Sequence, residues 1–111
     1  MLRSRRFVVR GHSMWPTLLP GDRVLVDIAA YRQQPPSLGE IVLVKGDRGS
    51  PPVLKRLAGH QQQGVREYLV LGDNRADSRD SRHFGPVRLD QLVGPAWYRY
   101  WPAARRGPLE T

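Results

Sequence analysis

Short apolar and β-branched runs, each closed by turn chemistry within about ten residues, set the strongest limit on how this chain folds. They fall at Phe7 to Arg10, Arg23 to Ile28, Glu40 to Lys45, Pro52 to Leu57, Arg66 to Leu71 and Ala96 to Trp101. Between them stand Pro20-Gly21-Asp22, Ser37-Leu38-Gly39, the stretch from Gly46 to Pro51, the stretch from Gly59 to Gly64, and Gly72-Asp73-Asn74. Gly, Pro, Asn and Asp supply the backbone geometries that reverse a chain. Helical periodicity is almost absent; Arg88 to Leu92 has room for one helical turn. The pattern predicts an all-β domain, mostly antiparallel, with little helix.

A chain of 111 residues suits one domain with a modest core. The boundaries expected are 1–102 for the folded domain and 103–111 for a frayed tail, because the composition after Trp101-Pro102 turns to Ala, Arg, Gly and Pro. Gln33 to Ser37 and the triple glutamine at 61–63 read as exposed connectors. There is no cysteine, which excludes disulfides, thiolate metal sites and thiol nucleophiles. No apolar run approaches the roughly 18 residues a membrane span requires, and the arginine-rich start has no apolar stretch of secretory-signal length. A cytoplasmic location is the expectation. The formal charge of +8 fits a solvated basic surface, peripheral attraction to acidic partners or membrane, or nucleic-acid binding. Arginines gather at Arg3, Arg5, Arg6 and Arg10 and again at Arg105 and Arg106, while the others scatter among acids, so specific nucleic-acid reading is not expected.

Three segments carry candidate chemistry. Ser13, in Gly11-His12-Ser13-Met14-Trp15-Pro16-Thr17-Leu18, follows an expected strand, where a hydroxyl can be presented and its own N–H can face a developing oxyanion. Taken alone it also reads as a turn residue. Lys55 is one of only two lysines among 18 basic residues. Strand alternation groups it with Val53 and Leu57 and sends Arg56 to the opposite face. Among apolar groups a lysine loses its proton more readily, and so becomes a base; an edge-strand lysine is the plainer alternative, and Lys45 reads as a surface charge. The third segment, Gly72 to Gly85, interleaves acids and arginines as a self-locking polar loop would, although a solvated turn also fits.

Together these segments resemble the signal peptidase I family of Ser/Lys proteases. Ser13 to Leu18 with Gly21-Asp22 is similar to the family's Ser-Met-x-Pro-Thr-Leu and Gly-Asp; Lys55-Arg56 is similar to its Lys-Arg strand. Gly72, Asp73, Asn74, Arg75, Ser78, Asp80, Ser81, Arg82 and Gly85 match its Gly-Asp-Asn-Arg-x-x-Ser-x-Asp-Ser-Arg-x-x-Gly loop. The likeness runs from about Phe7 to Pro102. It implies a coiled, barrel-like catalytic core without cofactor. Ser13 would be the nucleophile, Lys55 the base and Ser78 the group orienting the lysine, with Asp80 and Arg82 holding the loop and Asp73 facing Arg56. Where some family members carry an oxyanion-hole hydroxyl, this chain has Gly11.

Only six residues precede the first expected strand, so no membrane anchor is expected. The small cysteine-free core resembles the nickel-type superoxide dismutase maturation proteases, which implies a precursor partner whose N-terminal propeptide is removed. The alternatives are a signal-peptidase-like enzyme meeting secretory precursors by peripheral membrane contact through Trp15 and the arginine-rich start, and a basic β-barrel that binds nucleic acid. Self-cleaving LexA-type repressors share the serine and lysine but lack the polar loop. His12 has no acid placed to orient it, His60 and His83 fall in separate loops, and no metal site is expected. Trp15, Trp97, Tyr98, Tyr100 and Trp101 are expected to serve packing.

Overall fold

The computed structural model describes residues 3–61, 64 and 66–110. Its strands are β1 (Ser4–Val8), β2 (Arg23–Asp27), β3 (Ile41–Val44), β4 (Val53–Gln61), β5 (Glu67–Leu71), β6 (Val87–Arg88), β7 (Leu92–Trp101) and β8 (Gly107–Pro108); the single α-helical turn, α1, is Ser81–Phe84. They form one sheet in the order β1-β2-β7-β3-β4-β5-β6, with β8 added to β7, and every pairing among the described residues is antiparallel. The sheet is curled into a half-barrel, as the all-β expectation required.

Curling lets the central strand bury both faces. All four residues of β3 are buried: Ile41 and Leu43 join one core with Met14, Leu18, Val24, Val26, Leu54 and Ala96, whereas Val42 and Val44 join a second with Leu57, Tyr68, Val70, Val87 and Leu92. Strand alternation sorts the residues between the two cores. Each fully buried branched side chain contributes about 1.5–3 kcal/mol.

Several boundaries differ from the sequence reading. β1 begins three residues and ends two residues earlier than expected; as an edge strand it is exposed nearly throughout, so no apolar alternation marks it. β4 runs on through Gly59, His60 and Gln61, where a turn was expected, because the register slips at Ala58 and lets Gly59 pair with Leu69. The connector reading for Gln62 and Gln63 lies outside the described residues. β7 starts at Leu92 and absorbs Gly94-Pro95. Pro95 faces only β3, since the β2 pairing stops at Ala96, so its missing N–H interrupts no second ladder. Gly94 is required there: a Cβ would stand 1.9 Å from the Asp27 carbonyl oxygen. The segment expected to fray from Ala103 instead makes a 3₁₀ turn and pairs as β8, and its Leu109 packs on the first core. Composition marked it as a tail; its tertiary partners hold it.

Candidate active site

The segment between β1 and β2 is fixed by two side chains pointing inward. Met14 and Leu18 are buried in the first core, and the Leu18 N–H donates to the Met14 carbonyl at 2.9 Å. With both anchored, Ser13 is left half-buried and Trp15 is exposed. The Ser13 carbonyl accepts the Asn74 N–H at 2.8 Å, and the Asn74 amide donates to the His12 carbonyl at 3.0 Å, so the polar loop grips this segment from the other side. Among the described residues, the Ser13 N–H makes no hydrogen bond within the protein.

Lys55 reaches the site from β4. It stands directly opposite Val42, which places both side chains on the face of the second core, and it is only 3% exposed. Val53, expected as an apolar neighbour, is exposed at the mouth of the cleft it shares with Lys55, and the buried apolar residues on that face are Val42, directly opposite, and Leu57. Lys55 Nζ donates to Ser78 Oγ at 3.0 Å, and Ser78 Oγ donates to Asp80 Oδ2 at 2.9 Å. Burial pushes the Lys55 pKa below its ordinary value; the Asp80 charge opposes this and Arg82 assists it.

Asp80 is the hub of the loop. Fully buried, it accepts the Gly72 N–H at 2.9 Å, Ser78 Oγ, and Arg82 through Nε at 2.9 Å and Nη2 at 3.1 Å. Burial alone would raise its pKa, but these donors outweigh burial and hold it well below the usual carboxylate range. It also caps α1: its side chain accepts the Arg82 N–H, and its own N–H donates to His83 Nδ1 at 3.3 Å. On the other side of β4, Arg56 Nε and Nη2 pair with Asp73 at 3.2 and 2.7 Å, as the resemblance implies. The Thr17 hydroxyl donates to the same carboxylate at 2.6 Å. Partial burial raises the Asp73 pKa, and the Arg56 and Thr17 hydrogen bonds bring it below its ordinary value.

Ser13, Gly11, His12 and Lys55 open on one cleft of about 570 Å³. Phe84 and Pro86 add apolar wall, and Arg10, Lys45, Asp47, Asp77 and Arg79 give it a charged rim. Lys45, expected as a surface charge, is exposed on that rim. Among the described residues no hydrogen bond joins Ser13 Oγ to Lys55 Nζ, and Lys55 Nζ donates to Ser78 instead. Gly11 lies at φ +70, a left-handed geometry that a hydroxyl-bearing residue would enter only under strain. His60 sits on β4 and His83 on α1, not in loops, and no three of the described His, Asp and Glu residues cluster as metal ligands.

Four contributors carried no assigned role in the sequence reading. Asn74 and Thr17 lie inside the motifs, where their polarity was visible but their partners were not. Met14 Sδ accepts the Asp73 N–H at 3.5 Å, which a core methionine does not advertise. Gly72 is the fourth: a Cβ there would stand 2.1 Å from Ser78 Oγ and 2.6 Å from the Ser13 carbonyl oxygen. Only a glycine lets the two serine segments converge.

Comparison with known proteins gives the family. The model of the family described as signal peptidase, peptidase S26 matches residues 2–66 and 60–101. A probable signal peptidase I-2 of Synechocystis is 31% identical, over 87% of this chain and 63% of its own length. Signal peptidase IB of Staphylococcus aureus is 28% identical, over 86% of this chain and 77% of its own length. The chain thus spans less than two thirds of the Synechocystis relative. With the family model matched across nearly all of its strands, the chain belongs to the signal peptidase family, peptidase S26.

Proposed function

We propose that the chain is a serine endopeptidase with a Ser13/Lys55 dyad. A buried lysine, bonded to a neutral hydroxyl and opening on the same cleft as Ser13, is the observation that carries this reading. Neutral Lys55 takes the proton as Ser13 Oγ attacks the scissile carbonyl, and the Ser13 N–H faces the oxyanion. The lysine then hands its proton to the leaving amine, and an ester links Ser13 to the acyl half of the substrate. Water, deprotonated by Lys55, attacks the ester and restores the serine. Ser78 orients Nζ, Asp80 and Arg82 hold Ser78, and the Arg56–Asp73 pair ties β4 to the segment after Ser13. Gly11 brings no second hydroxyl.

The substrate we favour is the precursor of a nickel-type superoxide dismutase, from which the enzyme removes an N-terminal propeptide in the cytoplasm. Support comes from the small cysteine-free core, similar to those maturation proteases. No helix among the described residues is long and apolar enough to cross a membrane. The second reading, cleavage of secretory precursors at a membrane surface, draws on the names of the relatives and on the exposed Trp15 beside Ser13. Incubation with each precursor, followed by mass mapping of the new amino terminus, separates them. A new terminus only in the dismutase precursor supports the first; cleavage of the secretory precursor alone overturns it.

A further inference from the structure

Outside the cleft, the segment that follows Ser13 is held by a second cluster of charges. Asp22 is 1% exposed and accepts three donors: the Leu19 N–H at 2.9 Å, Arg99 Nη1 at 3.2 Å, and Arg105 Nη2. Arg99 Nη1 also donates to the Thr17 carbonyl at 3.0 Å, and its Nε donates to the Arg105 carbonyl at 2.7 Å. Thr17 is therefore fixed twice, through its carbonyl by Arg99 and through its hydroxyl by Asp73. The chain closes a second loop nearby, where Arg56 Nη1 donates to the Glu110 carbonyl at 2.9 Å. Residues 103–110 thus touch the nucleophile segment through Arg105 and the base strand through Arg56.

We infer that Asp22, Arg99 and Arg105 form a positioning clasp through which the C-terminal segment sets the placement of the Ser13 segment against Lys55. None of the three lines the cleft, so the clasp acts on the nucleophile and not on substrate binding. A buried carboxylate that loses one of two guanidinium partners pulls on its remaining donors, here the Leu19 N–H and Arg99, and both belong to the path that fixes Thr17. The inference rests on Ser13 being the nucleophile; its test separates the two.

The test uses the full chain with Arg105→Ala, Arg105→Lys, and Arg106→Ala as control. Because misplacing a nucleophile by about 1 Å can cost on the order of 100-fold, Arg105→Ala is expected to lower kcat about tenfold with KM nearly unchanged. Arg105→Lys should recover most of the loss, and Arg106→Ala should match the unaltered enzyme. Amide hydrogen exchange gives a readout independent of cleavage: Trp15, Leu18 and Leu19 should exchange about tenfold faster in Arg105→Ala while β4 is unchanged. A lower melting temperature with unchanged kcat and unchanged exchange at those amides would overturn the clasp. If the unaltered enzyme cleaves nothing, the dyad reading fails, and the exchange data still decide the clasp.

Discussion

The two faces of β4 carry neighbouring cations in opposite electrical settings. Arg56 meets a carboxylate directly, pairing with Asp73 through two nitrogens. Lys55, one residue away, meets a hydroxyl, and Asp80 is hydrogen-bonded to that hydroxyl while acting on the lysine by its charge. A direct ion pair fixes the charged form of a cation; a neutral partner in a buried site leaves the proton removable. One residue of strand separates a structural cation from the proposed base, and the difference lies in what each face offers.

Breaking the base face should have the largest effect. Ser13→Ala and Lys55→Ala should each reduce kcat/KM by about 10⁴-fold, and Lys55→Arg should fail equally because a guanidinium does not act as a neutral base. Exchanging the two cations, Lys55→Arg with Arg56→Lys, should also give an inactive enzyme, as measured by peptide cleavage; activity in the exchanged variant would erase the contrast between the faces. Lys55→Met should be inactive yet hold or raise the melting temperature. The sign follows from the lowered pKa: between its folded value and the ordinary 10.5 the folded state holds fewer protons than the unfolded state, so stability falls as pH drops through that window and the lysine costs stability below it.

Next come the groups between the faces. Gly72→Ala should lower kcat about 100-fold, since its Cβ would enter the Ser78 hydroxyl and displace a group that must sit within about half an ångström of its working place. A smaller effect is expected on the ion-pair face. Asp73→Asn removes the charge partner of Arg56 and should cost about 1–3 kcal/mol of stability by denaturant unfolding, with the pH dependence of activity unmoved. Asp80→Asn carries a distinct signature: beyond the loss of rate and stability expected at the buried hub, it removes the charge that raises the Lys55 pKa, so the acid limb of kcat/KM should move to lower pH.

How much of this the sequence showed depends on whether the cause was local. Lys55 and Arg56 were separable by strand alternation, because alternation is fixed within a few residues. The apolar neighbours were only partly legible, since Val53 turned out exposed and Val42 arrives from β3. Turn chemistry at Gly59 misled because a register slip absorbs that residue into a strand, and the last strand, expected from Ala96, begins earlier because a one-sided pairing accommodates Gly94-Pro95. The C-terminal residues read as a tail for the same reason in reverse: Arg105 is unremarkable until Asp22, 83 positions away, is brought beside it. Motif resemblance grouped Ser13, Lys55 and Ser78, but the need for a glycine at 72 and the grip of Asn74 on the Ser13 carbonyl are facts of three-dimensional convergence.

Titration of Lys55 Nζ by nitrogen-resolved NMR, alongside the pH dependence of kcat/KM, tests the central claim most directly. The account predicts one acid limb whose pKa matches the Nζ titration and lies below 10.5. A Lys55 that stays protonated up to its ordinary value while cleavage is already at full rate at neutral pH would contradict it.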